Sequence, residues 1–439
     1  MRSAVKRWKE ACGGRGADSE SLNKLSLMSF KLKFKLGKRS SNTRDLPRAK
    51  MLILPVLALL VTTSSALTNA TRKSLPAHYG EEGAVALDGS FYIYYVHPGA
   101  ERTKFVIFQK GGGWCFSDAE CAERAGTGLG SNSSAFHPAE ITFESFVDTT
   151  HFDILFENET ASPLTWNWTK LYLPYLDGGS QVGNLASPLS VPNTLGTANT
   201  TVFYRGALIH RATVETFLAS EGLSSATDVV LSGGSAGALS TFLHADSWRD
   251  ALPTGAKMVA LPDSGFFLNF NASSEGGHAT GAEDYGAGMR WVYNRMNGTG
   301  GVPRRCAAAN AADPALCIFA EVVSQTMVTP VLAQQSTYDA FQVSAILQQP
   351  ASNVSAINAY GALVAARVTA DFINANPNHG VFLDSCFHHV GEWNEITIDG
   401  QTVSRALAEF YAGFARPGAK RVWSQGKPYP CDACCKNGQ

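Results

Sequence analysis

Hydrophobic and polar positions along this chain fall into short blocks whose period changes from block to block. Tyr92-Ile93-Tyr94-Tyr95-Val96 and Thr103-Lys104-Phe105-Val106-Ile107-Phe108 are rich in aromatic and β-branched residues, which predicts two strands. Between 206 and 220 the apolar residues Leu208, Ile209, Val214, Phe217 and Leu218 recur at helical spacing. Asp228-Val229-Val230-Leu231 predicts a strand ending near Ser232, and the run from Ala238 to His244 is compatible with a helix. Further short strands are predicted at Met258 to Leu261, Val331 to Gln334 and Val381 to Leu383, and helices over 280–296 and 355–375. Strands alternating with helices predict an α/β fold with a mainly parallel sheet and helices on both faces. No internal repeat or low-complexity linker breaks the pattern, so one domain is expected over 70–439.

Composition adds a compartment. The 439 residues are 45% hydrophobic, enough for a large core, and the formal net charge is −1. That balance hides an asymmetry: residues 1–50 hold 14 of the 36 Lys and Arg but only 4 of the 37 Asp and Glu. The remainder is acidic, with 22 basic against 33 acidic residues, which argues against nucleic-acid binding. Residues 1–50 therefore read as a basic, unstructured leader. The apolar run Met51 to Val61, followed by small residues to Ala66, has the layout of a signal peptide over 51–66. The run is shorter than the roughly 20 residues of a spanning helix. An uncleaved signal anchor of type II remains an alternative.

Two features beyond that segment agree with secretion. N-glycan acceptor sequons occur at Asn69, Asn132, Asn158, Asn167, Asn199, Asn271, Asn297 and Asn353. Eight of the nine cysteines, Cys115, Cys121, Cys306, Cys317, Cys386, Cys431, Cys434 and Cys435, also follow it. An even number there predicts disulfides, with Cys115–Cys121 and Cys306–Cys317 as local pairs and Cys386 joined to one of the C-terminal cysteines. A zinc site at Cys431-x-x-Cys434-Cys435 is the rival, weakened by the lack of a second ligand pair at metal-site spacing.

The chemistry concentrates after predicted strands, where open α/β sheets place their sites. Ser232-Gly233-Gly234-Ser235-Ala236-Gly237 contains Gly-x-Ser-x-Gly between a strand and a helix, the setting of a nucleophile elbow. Ser235 is the candidate nucleophile. Lys110-Gly111-Gly112-Gly113-Trp114-Cys115 follows another strand, and its glycines allow backbone N–H groups to face inward. The N–H groups of Gly113, Trp114 and Ala236 are the candidate oxyanion hole, with the Trp114 ring lining an acyl pocket. Asp339 is the candidate triad acid, with Asp263 as competitor. His388 and His389 are both candidates for the general base, and the residues alone leave that choice open. Serine, aspartate, histidine is the chain order of α/β-hydrolase enzymes.

Taken together these blocks resemble the pectin acetylesterase and Notum family of serine carboxylesterases over roughly 75–435. The resembling blocks are Gly111 to Cys115, Tyr175 to Ser180, Tyr204-Arg205-Gly206, Leu231 to Gly237, Asp263 to Leu268, Tyr338-Asp339-x-x-Gln342, Ser385 to His389 and Pro428 to Asp432. The resemblance implies Asp339 as the acid and, through Ser-Cys-x-x-His, His389 as the base. It implies an α/β-hydrolase-like fold and an acyl-enzyme mechanism with no metal and no cofactor. Lys110 stands where the family often carries Glu, and Leu176 and Ala245 replace cysteines common in plant members.

The expectation is a carboxylic ester hydrolase, secreted or in the cell wall, that removes acetyl groups from pectin or a similar polysaccharide. Alternatives are a Notum-like deacylase of an acylated protein and a non-catalytic glycan-binding surface protein on the same scaffold. The acidity of the domain is a mild objection to a polyanionic substrate.

Overall fold

The computed structural model describes residues 69–149, 151–192, 198–273, 284–414, 416, 418–431 and 433–435. The leader over 1–50 and the signal or anchor segment over 51–66 lie outside the described residues. Among the described residues no helix is long and apolar enough to cross a membrane.

Twelve strands form among the described residues: β1 (Ala70–Ser74), β2 (Ile93–His97), β3 (Glu101–Gln109), β4 (Glu140–Ile141), β5 (Trp168–Leu173), β6 (Leu189–Pro192), β7 (Asn199–Val202), β8 (Asp228–Gly234), β9 (Lys257–Asp263), β10 (Leu332–Ser336), β11 (Gly380–Asp384) and β12 (Val422–Ser424). Ten make one sheet in the order β12-β11-β10-β9-β8-β3-β5-β2-β1-β4, while β6 and β7 form a separate hairpin. From β12 to β5 neighbouring strands pair in parallel. The edge formed by β2, β1 and β4 is antiparallel. This is the α/β-hydrolase-like, mainly parallel sheet that the sequence predicts.

The apolar runs explain the centre of the sheet. Val229, Val230 and Leu231 are fully buried, as are Val106, Ile107 and Phe108 on the neighbouring strand. Continuous burial, without alternation, means both faces are covered by helices. Helix Gly206–Ser220 buries Ile209, Ala212, Thr213, Thr216 and Phe217, an i, i+3, i+4, i+7, i+8 stripe. Helix Ala236–Ala251 follows β8 directly and is buried along most of its length.

Three local expectations shift. The 280–296 helix is Tyr285–Arg295, with 280–283 outside the described residues. The 355–375 helix is α-helical over Val354–Arg367 and then widens into a π-helical turn, Val368–Ile373. Strand β5 was not predicted at all. Its Lys170 interrupts the apolar pattern, yet it is fully buried and donates to the Trp166 carbonyl at 2.9 Å.

Register places the site. Gln109 pairs with Gly233, Gly234 with Asp263, Asp263 with Gln334, and Ser336 with Asp384. The carboxyl ends of β3, β8, β9, β10 and β11 therefore finish level, and the candidate residues on the turns that follow face one another across the sheet end.

Candidate active site

Ser235 occupies the turn between β8 and helix Ala236–Ala251 with φ +56° and ψ −124°, a conformation costly for a residue with a Cβ. Its own N–H donates to the Asp263 carbonyl at 2.9 Å, and its carbonyl accepts from Ala238 and Leu239 as the helix begins. The glycines around it answer to close approach. A Cβ on Gly111 would lie 2.2 Å from the Gly234 oxygen and 2.8 Å from the Ser235 Cβ. One on Gly237 would lie 2.1 Å from the Gln109 oxygen. Only hydrogen at these positions lets the loop after β3 abut the serine turn.

The structure brings Ser235, Asp339 and His389 into one chain of hydrogen bonds. His389 Nε2 lies 2.9 Å from Ser235 Oγ, and His389 Nδ1 lies 2.8 Å from Asp339 Oδ2. Asp339, in the turn after β10, is 1% exposed, and its Oδ1 accepts from the Gln342 N–H at 2.9 Å. The Gln342 side chain in turn donates to the Phe266 carbonyl and accepts from the Tyr360 hydroxyl. That accounts for a glutamine three residues after the aspartate. The His389 ring stacks on Phe341 with centroids 5.3 Å apart.

The candidate oxyanion donors sit on two elements. Gly113 has φ +67°, and Arg124 holds the loop by donating to the carbonyls of Gly112 and Trp114 at 2.9 and 3.0 Å. Helix Asp118–Ala125, which carries Arg124, is capped by the Ser117 side chain and tied to the loop by the Cys115–Cys121 disulfide. Among the described residues the N–H groups of Gly113, Trp114 and Ala236 donate to no protein acceptor. Ala236 opens a helix, where N–H groups and the helix dipole favour negative charge.

The Trp114 indole donates to Ser180 Oγ at 2.8 Å, and Ser180 Oγ donates to the Ala236 carbonyl at 2.7 Å. Ser180 and Gln181 have φ of +53° and +61°. Asp177 holds this turn by accepting from the N–H groups of Gly179 and Gln181. Burial pushes the Asp177 carboxyl up to about 6 despite those donors. The family resemblance includes Ser180 only as the end of the Tyr175 to Ser180 block, and no sequence signal marks it as the link between the Gly113–Trp114 loop and the helix after Ser235. Trp114 also makes edge contacts with Phe267 and Tyr285, and Phe341 lies within 6.2 Å of it. These rings form an apolar wall beside His389.

Asp263, the competing acid, lies elsewhere in the arrangement. Its Oδ2 accepts from the Gly391 N–H at 3.0 Å and the Trp393 indole at 2.8 Å, and its Oδ1 accepts from the Ser264 hydroxyl at 3.0 Å. Ser264 Oγ accepts in turn from the Val390 N–H at 3.0 Å. Val390, Gly391 and Glu392 have consecutive positive φ of +60°, +76° and +59°. Asp263 and Ser264 thus hold the strained loop that leaves His389. Asp263 is completely buried, which pushes its carboxyl up to about 6 against its donors.

His388 points away from the serine, with Nε2 at 3.1 and 3.2 Å from the two carboxylate oxygens of Asp384. The cysteines pair as Cys115–Cys121, Cys306–Cys317, Cys386–Cys435 and Cys431–Cys434. The first two are the expected local pairs, and the third selects Cys435 as the partner of Cys386. The third and fourth together take up the three cysteines of the rival zinc reading. Among the described residues no group of three or more His, Cys, Asp or Glu is arranged to hold a metal ion.

Comparison with known proteins places this geometry. A sequence profile of the family described as Pectinacetylesterase matches residues 65–436. The chain is 27% identical to pectin acetylesterase 5 of Arabidopsis thaliana, over 94% of this chain and 92% of that protein. It is 28% identical to pectin acetylesterase 7 of the same plant, over 76% of this chain and 83% of that one. It is also 25% identical to palmitoleoyl-protein carboxylesterase notum1a of Danio rerio, over 75% of this chain and 64% of that protein. The fold is similar to that of the Wnt deacylase Notum from Drosophila, with a TM-score of 0.65 at 21% identity, covering 82% of this chain and 99% of that one.

Proposed function

The chain belongs to the pectinacetylesterase family and is a serine carboxylesterase, and from that premise we propose that it removes O-acetyl groups from pectin or a related extracellular polysaccharide. The observation that carries this reading is the unbroken Asp339–His389–Ser235 chain, with links of 2.8 and 2.9 Å.

Ser235 Oγ attacks the acetyl carbonyl carbon while His389 Nε2 takes its proton. Asp339 holds the ring in the tautomer that leaves Nε2 free to accept, and stabilises the imidazolium that forms. The N–H groups of Gly113, Trp114 and Ala236 receive the oxyanion. The bond to the sugar oxygen then breaks, that oxygen takes the proton from His389, and Ser235 is left acetylated. Water repeats the sequence: His389 accepts its proton, acetate departs, and the proton returns to Ser235 Oγ.

Secretion is part of the reading, supported by the four disulfides and by the signal-like segment over 51–66. N-glycans on the sequons accompany it. A second reading, hydrolysis of a fatty acyl ester on a protein, is favoured by the apolar wall of Trp114, Phe267, Tyr285 and Phe341 and by the palmitoleoyl-protein carboxylesterase relatives. Residues 67–439, produced through a secretory host, distinguish the two on p-nitrophenyl esters from acetyl to palmitoyl, with Ser235→Ala as control. The first reading expects Ser235-dependent turnover that is greatest for acetyl and falls steeply with chain length. A preference for long chains overturns it in favour of the second. Loss of all Ser235 dependence overturns both.

A further inference from the structure

Three buried carboxylates cluster where adjacent strands end, one of them the Asp339 of the proposed triad. Asp263, Asp339 and Asp384 are 0%, 1% and 0% exposed. Buried carboxylates need hydrogen bonds and an opposite charge to be tolerated. Each has hydrogen bonds: Asp263 accepts from Gly391, Trp393 and Ser264, Asp339 from Gln342 and His389, and Asp384 from the Cys386 N–H at 2.9 Å. Among the described residues no lysine or arginine pairs with any of the three. The imidazoles of His388 and His389 are the cationic groups in reach, and the general base must be neutral at the start of each cycle.

His388 has the geometry of a fixed cation. Its side chain is 6% exposed. Nε2 faces both oxygens of Asp384, and Nδ1 faces the Val390 carbonyl at 3.5 Å. Acceptors at both ring nitrogens suit the doubly protonated ring, since a neutral imidazole has one donor only. The charged groups that face it are Asp384 at the end of its own strand, Asp263 from β9 and Asp339 from the turn after β10. Its backbone is tied to that same turn, because its carbonyl accepts from the Ala340 N–H at 2.9 Å.

We propose that His388 is a positioning residue of the ester hydrolysis: paired with Asp384, it supplies a positive charge at neutral pH behind the triad that keeps its neighbour His389 in the neutral, proton-accepting form. Burial opposes the charge, but Asp384, with Asp263 and Asp339 beyond it, pushes the His388 pKa up to about 9. The positive charge stands on the residue next to His389 and within Coulombic reach of Asp339, the carboxylate that His389 contacts, so it opposes a second positive charge on that pair. Without it, the three carboxylates favour a second proton on His389, and the base is silenced at a higher pH. The inference rests on the reading of His389 as general base.

The test is the pH dependence of kcat/KM on p-nitrophenyl acetate for the wild type, H388Q and H388K, with thermal unfolding to verify folding. In H388Q the acidic limb moves up by about one pH unit while the plateau kcat is largely kept. H388K, which retains a cation beside Asp384, brings the limb back toward the wild-type position. A limb unmoved in folded H388Q, or one displaced as far in H388K, overturns the proposal. Should neither variant fold, histidine-labelled wild type decides: at pH 8 one ring shows both nitrogens protonated, and the absence of such a ring overturns the proposal. Full activity in Ser235→Ala would instead defeat the catalytic reading itself, so the two failures are distinct.

Discussion

The N–H of Ser235 donates to the backbone carbonyl of Asp263 at 2.9 Å, while the Asp263 carboxylate accepts from Gly391, two residues after His389. One residue at the end of β9 therefore braces the proposed nucleophile with its main chain and the loop after the proposed base with its side chain. Replacing Asp263 by Ala orphans the Gly391 N–H and the Trp393 indole in a buried site and frees a loop with three consecutive positive φ angles. The expected outcome is a loss of about 3–5 kcal/mol in denaturant unfolding. In the fraction that remains folded, kcat falls roughly 10²-fold at nearly constant KM. A variant as stable and as active as the wild type would refute this bracing role.

For the proposed triad itself, Ser235→Ala and Asp339→Asn are expected to differ in degree. Losing the nucleophile removes the acyl-enzyme route, and kcat should fall about 10⁴-fold or more. Asp339→Asn retains the Gln342 contact but favours the wrong tautomer of His389, for a loss of roughly 10⁴-fold. Steady-state kinetics on p-nitrophenyl acetate, with melting temperatures close to wild type for Ser235→Ala, checks both.

Gly111→Ala probes the contact between two turns. Its methyl group would stand 2.2 Å from the Gly234 oxygen and 2.8 Å from the Ser235 Cβ, and neither neighbour is a flexible side-chain end. The loop carrying Gly113 must then withdraw from Ser235. Activity should drop at least about 10²-fold through the displaced oxyanion donors. By contrast, a Cβ on Gly255, where nothing lies within 4 Å, meets no steric obstacle, though its φ of +92° strains any substitution. Comparing Gly111→Ala with Gly255→Ala for activity separates contact at the site from backbone strain alone.

The Asp384–His388 pair carries a stability signature on the alkaline side. The His388 pKa is raised from 6.5 to about 9 in the folded protein, so its contribution is complete below about 6.5 and disappears as pH rises through 9. The expected size is about 3 kcal/mol. Burial lowers Lys170 to about 8, and that group acts with the opposite sign: its penalty is relieved as pH rises from 8 to about 10.5. The wild-type curve alone therefore mixes the two. The difference in unfolding free energy between wild type and H388Q, which cancels Lys170, should shrink by about 3 kcal/mol between pH 6.5 and 9.5. A constant difference would mean that the pair is not charged.

What could be read in advance was what depends on neighbours in the chain. The buried run of β8, the glycines around Ser235 and the helix after it are local, and they identify the elbow and the α/β class without tertiary information. Lys170 hid β5 because burial of a lysine is decided by carbonyls it meets after folding, here Trp166 and Trp168. His388 and His389 are adjacent and of one type, so the residues alone leave the choice open and only the family resemblance points to His389; the structure turns one ring toward Asp384 and the other toward Ser235. Asp263 looked like a rival acid because it follows a strand, as Asp339 does. Its different task depends on Gly391 and Trp393, more than 120 residues away. Cys431, Cys434 and Cys435 offer spacing too close to choose between partners, and packing against Cys386 makes the choice.

The Cys386–Cys435 link spans 49 residues and fixes the chain two residues beyond the end of β11 and three before His389. The serine turn and its helix end at Ala251, well before either cysteine of that link in the chain. The bridge therefore gives the segment leading into His389 a covalent tether, while among the described residues the turn that carries Ser235 is held by hydrogen bonds and packing.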